Sequence, residues 1–450
     1  MTAPARTAAY HALRAIAGER ADLPSALAKS RQHLSDERDR ALAAEIVTGT
    51  LRWQRSLDHL IEHFAKRPFR RIDPDVATIL RLSLYQLLYL DRVPASAVVD
   101  DAVDLTRGAR KLSATGFVNA VLRTTLRERH RLPLPPRPGE GGDRSAQLAY
   151  LGVAHSHPEW LVARWLDRHG FEAVERWVQF NNETPRLTVR ANTLSARREE
   201  VAIALAADDI DTETTHYAPD GLIVIAGNPL RRPADGLFLV QDEASQLVSL
   251  AVEAQAGERV LDLCASPGGK SMAMAADMRD TGTLVASDVR PRRLMLLKET
   301  IRMSGARHTY VVQVPASGPL PFDATFDRVL VDAPCSGLGT IRRDPDIRWR
   351  RVESDLAALA RDQLTLLSRA AAVLKSGGRL VYATCSSEPE ENEEVVDAFL
   401  AARPDFAVTE LRRDSSALAP FIDARGMMRT LPFAHGLEAF FAAALVRQSG

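Results

Sequence analysis

Apolar residues recur at three- and four-residue spacing from about residue 5 to about residue 130. In RDRALAAEIVTGTLRW (38–53), RSLDHLIEHFA (55–65), PDVATILRLSLYQLLYL (74–90), ASAVVDDAVDLTR (95–107) and GFVNAVLRTTLRER (116–129) the pattern is that of amphipathic helices, with little strand-like alternation. Ser35 and Asp73 are the expected N-caps, Asp73 with Pro74 at the first helical position. The run RLPLPPRPGEGGDRSA (131–146) cannot continue a helix, because it holds four prolines and three glycines, and it is expected to be a linker. Residues 147–235 mix helical stretches (PEWLVARWLDRHG, FEAVERWVQFNN, ARREEVAIALAA) with the short strands RLTVRA and GLIVIAG. From 236 to 450 short apolar strands alternate with helical segments: ERVLDL, GTLVASD, HTYVVQV, FDRVLVD and GRLVYAT. That alternation predicts a parallel sheet covered by helices on both faces, with ligands at the C-terminal ends of the strands.

At 450 residues the chain is long enough for two or three domains. Its 46% hydrophobic and 26% charged content is that of a globular protein, which excludes wholesale disorder. The absence of an 18-residue apolar run argues against a membrane span, and the N-terminus lacks the marks of a signal peptide. Three cysteines, none at C-x-x-C spacing, make neither a disulfide framework nor a zinc site. No metal is expected, and the expected location is the cytoplasm. The net charge of zero hides an asymmetry: residues 1–150 carry 24 Lys and Arg against 17 Asp and Glu, so the remainder is acidic. A basic module joined to an acidic one suggests a polyanion-binding part and a part with another task.

Three segments carry candidate chemistry. In ERVLDLCASPGGKSMAMA a strand runs into a turn, Ser266-Pro267-Gly268-Gly269, and a helix opens near Lys270. Glycine lets the backbone approach a ligand, and the helix N-terminus offers N–H groups to an anion. One strand later Asp288 ends VASD, where an acidic side chain suits ribose hydroxyls. The turn is neither G-x-G-x-x-G nor G-x-x-x-x-G-K-[ST], which argues against pyridine dinucleotide and ATP hydrolysis. The second segment, FDRVLVDAPCSGLGTIRRDPDIRWR, delivers Asp332 and Cys335. The third, GGRLVYATCSSEPEENEEVV, delivers Cys385 before a Glu-rich helix start, Glu388–Glu394, whose charge suits a helix N-terminus. A lone cysteine is usually a small buried apolar residue. Two at corresponding strand ends, beside a nucleoside site, point instead to nucleophilic chemistry. The basic run Arg342-Arg343 to Arg348-Trp349-Arg350 is either a solvated loop or an RNA-phosphate and stacking surface.

LDLCASPGGK, DAPCSGLGTIRRDPDIRW and YATCS-x-x-PEENE resemble the S-adenosylmethionine-dependent RNA cytosine-5 methyltransferases. QDEASQL, NNETPRLTVRANTL and HPEWLVARW resemble that family's preceding domain, and the helical segments resemble the NusB-type domain of its RsmB (Sun/Fmu) branch, which methylates 16S ribosomal RNA. The resemblance covers nearly the whole chain. It implies an all-α NusB-like RNA-binding bundle (1–130), the linker (131–146), a small α+β domain (147–235) and an α/β Rossmann-like methyltransferase domain (236–450). It further implies Cys385 as the nucleophile toward cytosine carbon 6, Cys335 as the thiol that assists adduct release, and Asp332 at the cytosine edge. Cys264, Ala265, Ser266, Pro267, Gly268, Gly269, Lys270, Asp288 and Asp332 would line the S-adenosylmethionine site. Two departures stand out. The family's acid after the third strand is missing, since the run there reads Val311-Val312-Gln313-Val314-Pro315-Ala316-Ser317, and the family's H-G-x-D-G-F-F appears as His435-Gly436-Leu437-Glu438-Ala439-Phe440-Phe441. Other readings are the same chemistry on transfer RNA or DNA, and an RNA-binding assembly factor whose methylation site has decayed.

Overall fold

The computed structural model describes residues 2–139, 141–232, 235–411 and 417–448, in two compact units. The first comprises Met1–Thr184 with Ile341–Glu353, and the second Pro185–Thr340 with Ser354–Gly450.

The first unit opens with the helices Pro4–Ala17, Leu23–Gln32, Glu37–Arg52, Gln54–Ala65, Pro74–Tyr89, Ala95–Gly108 and Thr115–Glu128. Their apolar stripes meet in a core that includes Ile46, Leu57, Leu60, Ile61, Ile79, Leu80 and Leu122. Asp73 caps its helix as expected, its Oδ1 accepting from the Asp75 and Val76 N–H groups, with Pro74 beginning the helix. The cap expected at Ser35 is instead Asp36, whose carboxylate accepts from the Arg38 N–H at 2.7 Å. A carboxylate is the better acceptor at the positive end of a helix. Gly49 allows two helices to touch, because a Cβ there would lie 1.9 Å from the Tyr85 ring. The expected linker has no helix or strand among its described residues before the helix Arg144–Ala149.

Residues 341–353 pack in this first unit, although they follow the Cys335 loop in sequence. Arg348 is completely buried. Its guanidinium donates to the carbonyls of Ser156 (2.9 Å) and Asn181 (3.2 Å) and to Asn182 Oδ1 (3.1 Å). The Trp349 indole N–H donates to the Leu51 carbonyl at 2.6 Å, Asp346 accepts from the Leu23 N–H, and Arg342 stacks over Phe180. Arg348 and Trp349 therefore hold protein groups, so the basic run is not a freely solvated loop, and the buried Arg348 presents no surface to RNA.

The second unit contains two sheets. Strands β1 (Thr188–Ala191), β2 (Asp211–Thr214), β3 (Gly221–Ala226) and β4 (Phe238–Val240) form an antiparallel sheet in the order β2-β3-β1-β4. The larger sheet is built from β5 (Arg259–Asp262), β6 (Thr283–Asp288), β7 (Thr309–Gln313), β8 (Phe326–Asp332), β9 (Leu374–Thr384), β10 (Phe406–Val408), β11 (Met428–Arg429) and β12 (Phe441–Arg447). Its order is β10-β12-β9-β8-β5-β6-β7, with β11 pairing β12. The five strands expected from the sequence are parallel, but β12 runs antiparallel beside β9, so the sheet is mixed rather than parallel. Alternate residues of β8 and β9 serve different cores: Leu330, Val381 and Ala383 pack on one side, and Val329, Val331, Leu380 and Tyr382 on the other. Strands buried on both faces give the near-continuous apolar runs seen in the sequence. The chain order reverses between β5 and β8, which places the ends of those strands at the sheet's topological switch point.

Candidate active site

β5 ends at Asp262 and runs into the turn Cys264–Gly269. The turn is pinned to β6 by the Ala265 N–H donating to the Ser287 carbonyl (2.8 Å) and by the Ser287 hydroxyl donating to the Leu263 carbonyl (3.0 Å). Gly268 occupies the left-handed region at φ 109°, where a Cβ would lie 2.9 Å from Leu297, and caps the helix Gly269–Asp277. Only glycine meets both demands. Burial pushes the Asp262 carboxyl up to about 7, against the opposing pull of a hydrogen bond from Ser271. Burial, aided by the charges of Asp262, Asp332 and Asp288, pushes the Cys264 thiol up as well.

Asp288 ends β6 almost buried. Its Oδ1 accepts from the Arg290 N–H at 2.9 Å, and its Oδ2 is 3.8 Å from Arg293. The donor set fits S-adenosylmethionine: the helix that opens at Gly269 offers N–H groups to a carboxylate, and Asp288 offers acceptor oxygens to a ribose diol. After β7 the Pro315 and Ala316 carbonyls accept from Arg369, and the first acidic residue beyond the strand is Asp323.

At the end of β8, Asp332 accepts from the Lys270 ammonium at 2.7 Å. Lys270 also donates to the Ser245 hydroxyl (3.1 Å) and lies 5.8 Å from the centre of the Phe440 ring. Burial alone would pull the Lys270 ammonium down, but the charge and hydrogen bond of Asp332, with the charge of Asp242, outweigh it and hold the group above its ordinary value. The site thus keeps a fixed cation beside the Asp332 carboxylate.

The two cysteines close the arrangement. Cys335 follows β8 and Cys385 follows β9, a neighbouring parallel strand, and their Sγ atoms are 3.2 Å apart as free thiols. The contact with Cys385, then burial and the charge of Glu391, hold the Cys335 thiol well above its ordinary value. Gly339 brings the two loops into backbone contact, its N–H donating to the Cys385 carbonyl at 2.9 Å while its own carbonyl accepts from the Ala439 N–H at 3.0 Å. Ala439, where the family pattern has glycine, does not lie in the left-handed region, so the methyl group is accommodated there without backbone strain.

The residues expected to carry catalysis and cofactor binding stand at the ends of β5, β6, β8 and β9 or in the segments that follow them, with Gly269 and Lys270 opening the helix Gly269–Asp277. Sequence reasoning missed Ser245, Ser336, Gln363, Glu391 and Asn392, which surround the lysine and the thiols. Glu391 was expected to be a charge at a helix start. It lies instead before the helix Glu393–Ala402, fully buried, with its carboxylate hydrogen-bonded to Ser336, Ser386 and Gln363.

A largely parallel sheet buried on both faces, with a glycine turn after one strand and an acid at the end of the next, is the arrangement of nucleoside-binding α/β domains, the class to which S-adenosylmethionine-dependent methyltransferases belong. Comparison with known proteins narrows the class. Residues 249–446 match the model of the 16S rRNA methyltransferase RsmB/F family, residues 3–127 match the NusB family, and residues 157–231 match the RsmF/B-like ferredoxin-like domain. The chain is 36% identical to the probable ribosomal RNA small subunit methyltransferase B of Bacillus subtilis over 91% of this chain and 90% of that one. It is 35% identical to ribosomal RNA small subunit methyltransferase B of Pseudomonas putida over 92% and 93% of the two chains. The crystal structure of PH0851 superposes with a TM-score of 0.80 at 26% identity, over 99% of each chain. The chain belongs to the RsmB/F methyltransferase family, and S-adenosylmethionine is its cofactor.

Proposed function

We propose that this protein methylates carbon 5 of a cytosine in RNA, with 16S ribosomal RNA as the substrate, through a covalent adduct between Cys385 and carbon 6. The observation that carries this reading is the pair of free thiols 3.2 Å apart at the ends of neighbouring parallel strands, next to the Lys270–Asp332 pair. Carbon 5 of cytosine is too weak a nucleophile to accept a methyl group unaided. When the Cys385 thiolate adds to carbon 6, a sulfur–carbon bond forms and the carbon 5–carbon 6 π pair becomes that of an enamine, nucleophilic at carbon 5. Bound S-adenosylmethionine supplies an electrophilic methyl group on a sulfonium. Asp332, held by Lys270, accepts from the amino group at the cytosine edge and fixes the ring against the thiols. In the release step water takes the carbon 5 proton, the double bond re-forms, and the sulfur–carbon 6 pair returns to Cys385. Cys335 is the group within reach of that sulfur, which suits it to assisting the departure. The names of the relatives support ribosomal RNA of the small subunit as the substrate.

Cysteine variants test the reading. Cys385→Ser should abolish methyl transfer and form no covalent RNA complex, because a hydroxyl is a far poorer nucleophile than a thiolate. Cys335→Ala should still attack but release slowly, so a protein–RNA species should survive denaturing electrophoresis; the double variant should show none. Adduct formation by Cys385→Ser but not by Cys335→Ala would reverse the roles. Bisulfite sequencing of RNA from a deletion strain identifies the cytosine, and an unchanged pattern in ribosomal RNA would move the substrate elsewhere.

A further inference from the structure

We infer that Glu391 is a positioning residue for both thiols, a buried carboxylate that ties the loop carrying Cys335 to the loop carrying Cys385 and sets the gap between the sulfurs. The inference rests on the roles proposed for the two cysteines. Glu391 is 0% exposed, and its two oxygens take four hydrogen bonds from three segments of the chain. Oε1 accepts from the Ser336 N–H at 2.8 Å and from Gln363 Nε2 at 2.9 Å, while Oε2 accepts from the Ser336 and Ser386 hydroxyls at 2.5 Å each. Ser336 and Ser386 are the residues that immediately follow the two cysteines.

The residues that precede the cysteines are fixed by the same cluster. Gln363 Nε2 also donates to the Pro334 carbonyl at 3.0 Å, so one amide and one carboxylate hold both sides of Cys335. On the other loop the Thr384 hydroxyl donates to Asn392 Oδ1 (2.5 Å), and Asn392 Nδ2 donates to the Ser386 carbonyl (3.0 Å). The Glu391 carbonyl in turn accepts from the Tyr382 hydroxyl of β9 at 2.5 Å, which anchors the cluster to the sheet.

A carboxylate buried with hydrogen-bond donors as its partners is an expensive way to fill space, and an apolar side chain would pack at lower cost. What an apolar residue cannot do is gather donors from two loops onto one pair of oxygens. Such a network is stiff when every member is satisfied, which is what a 3.2 Å gap between sulfurs on separate loops requires. The negative charge has a second consequence, since it opposes ionisation of Cys335 and so keeps a proton on the thiol that does not attack.

The test is closure of the Cys335–Cys385 disulfide in the full-length protein by diamide, which takes up the two electrons and two protons that the thiols lose. Closure is followed by mass spectrometry across a pH series. The high-pH plateau of the rate reports thiol geometry, and its midpoint reports thiol ionisation. In Glu391→Ala the plateau should fall tenfold or more, with turnover falling alongside it and S-adenosylmethionine affinity staying within twofold. Glu391→Gln keeps the side chain's size and an acceptor for the Ser336 N–H, so it should recover part of the plateau while its midpoint moves to lower pH. If the glutamate variants do not fold, the double variant Ser336→Ala/Ser386→Ala, which deletes only two hydroxyls, should lower the plateau instead. Folded variants with wild-type plateau and midpoint would overturn the inference. A wild-type protein that closes the disulfide but forms no adduct with RNA would overturn the proposed function alone, because the effect of Glu391 on the thiols is read without RNA.

Discussion

Asp262 shows how much of this site is environment. In the sequence it is the last residue of a strand, LDL, and nothing marks it as unusual; in the structure it is fully buried and its carboxyl is pushed up to about 7, chiefly by loss of water. The sign of its effect on stability follows. Between the ordinary carboxylate range near pH 4 and about pH 7 the unfolded chain has released this proton and the folded chain still holds it, so stability falls as pH rises through that interval. Asp262→Asn keeps a partner for Ser271 and removes the titration. Without ligand, the variant should gain about 2–4 kcal/mol over wild type at pH 8 relative to the difference at pH 4. Chemical denaturation at the two pH values measures it, and a pH-independent difference would show that Asp262 is not buried in its ionisable form. The thiols behave differently, because two cysteines at the ends of successive apolar runs were legible as a pair. Glu391 was not legible: a glutamate in Pro-Glu-Glu-Asn-Glu has the composition of an exposed helix start, and only the loops folding over it make it a hub.

At the scale of the strand and loop, periodicity located all five parallel strands, since runs buried on both faces have few competing readings. It missed the three strands that make the sheet mixed. β10 and β11 span three and two residues, and β12, FAAALVR, is rich in alanine, which favours helices over strands. Yet β12 matters to the site, because the segment entering it meets the Cys335 loop. The Ala439 N–H donates to the Gly339 carbonyl, and a Cβ on Gly339 would lie 1.9 Å from the Ala439 carbonyl oxygen and 2.8 Å from that of Cys385. Both obstacles are backbone, so neither can swing aside. Gly339→Ala should therefore force the two cysteine loops apart, with about 1–3 kcal/mol of overpacking cost and a loss of methyl transfer of tenfold or more. Calorimetric S-adenosylmethionine binding should be nearly unchanged, because the turn after β5 is untouched. A variant with normal turnover would mean that the loops tolerate a wider gap.

At the scale of the whole chain, sequence order and structural membership part company at residues 341–353. A reading along the sequence assigns DPDIRW to the catalytic segment, but its tryptophan, buried arginine and Asp346 are bonded to Leu51, Ser156, Asn181, Asn182 and Leu23 of the first unit. No spacing rule could have found these partners, which are mostly backbone groups distant in sequence. They change what a truncation should do. Removing residues 1–130 deletes much of the basic excess, and with it the counterion release that salt-dependent RNA binding requires. The truncated protein should bind RNA more weakly, with a shallower dependence on salt. It should still bind S-adenosylmethionine, whose proposed residues all lie in the second unit. The deletion also strips Trp349 and Asp346 of partners, so lost affinity needs a control in the full-length chain. Arg348→Met supplies it: leaving its acceptors unpaired should cost about 2–4 kcal/mol of stability in the first unit while every exposed basic side chain stays in place. If the helical region supplies RNA affinity through its charge, Arg348→Met should keep the wild-type salt slope under conditions where it remains folded, and only the truncation should flatten it. A truncated protein with undiminished RNA affinity would remove the RNA-binding role from the helical region, and a flattened slope in Arg348→Met would assign that role to the anchored segment.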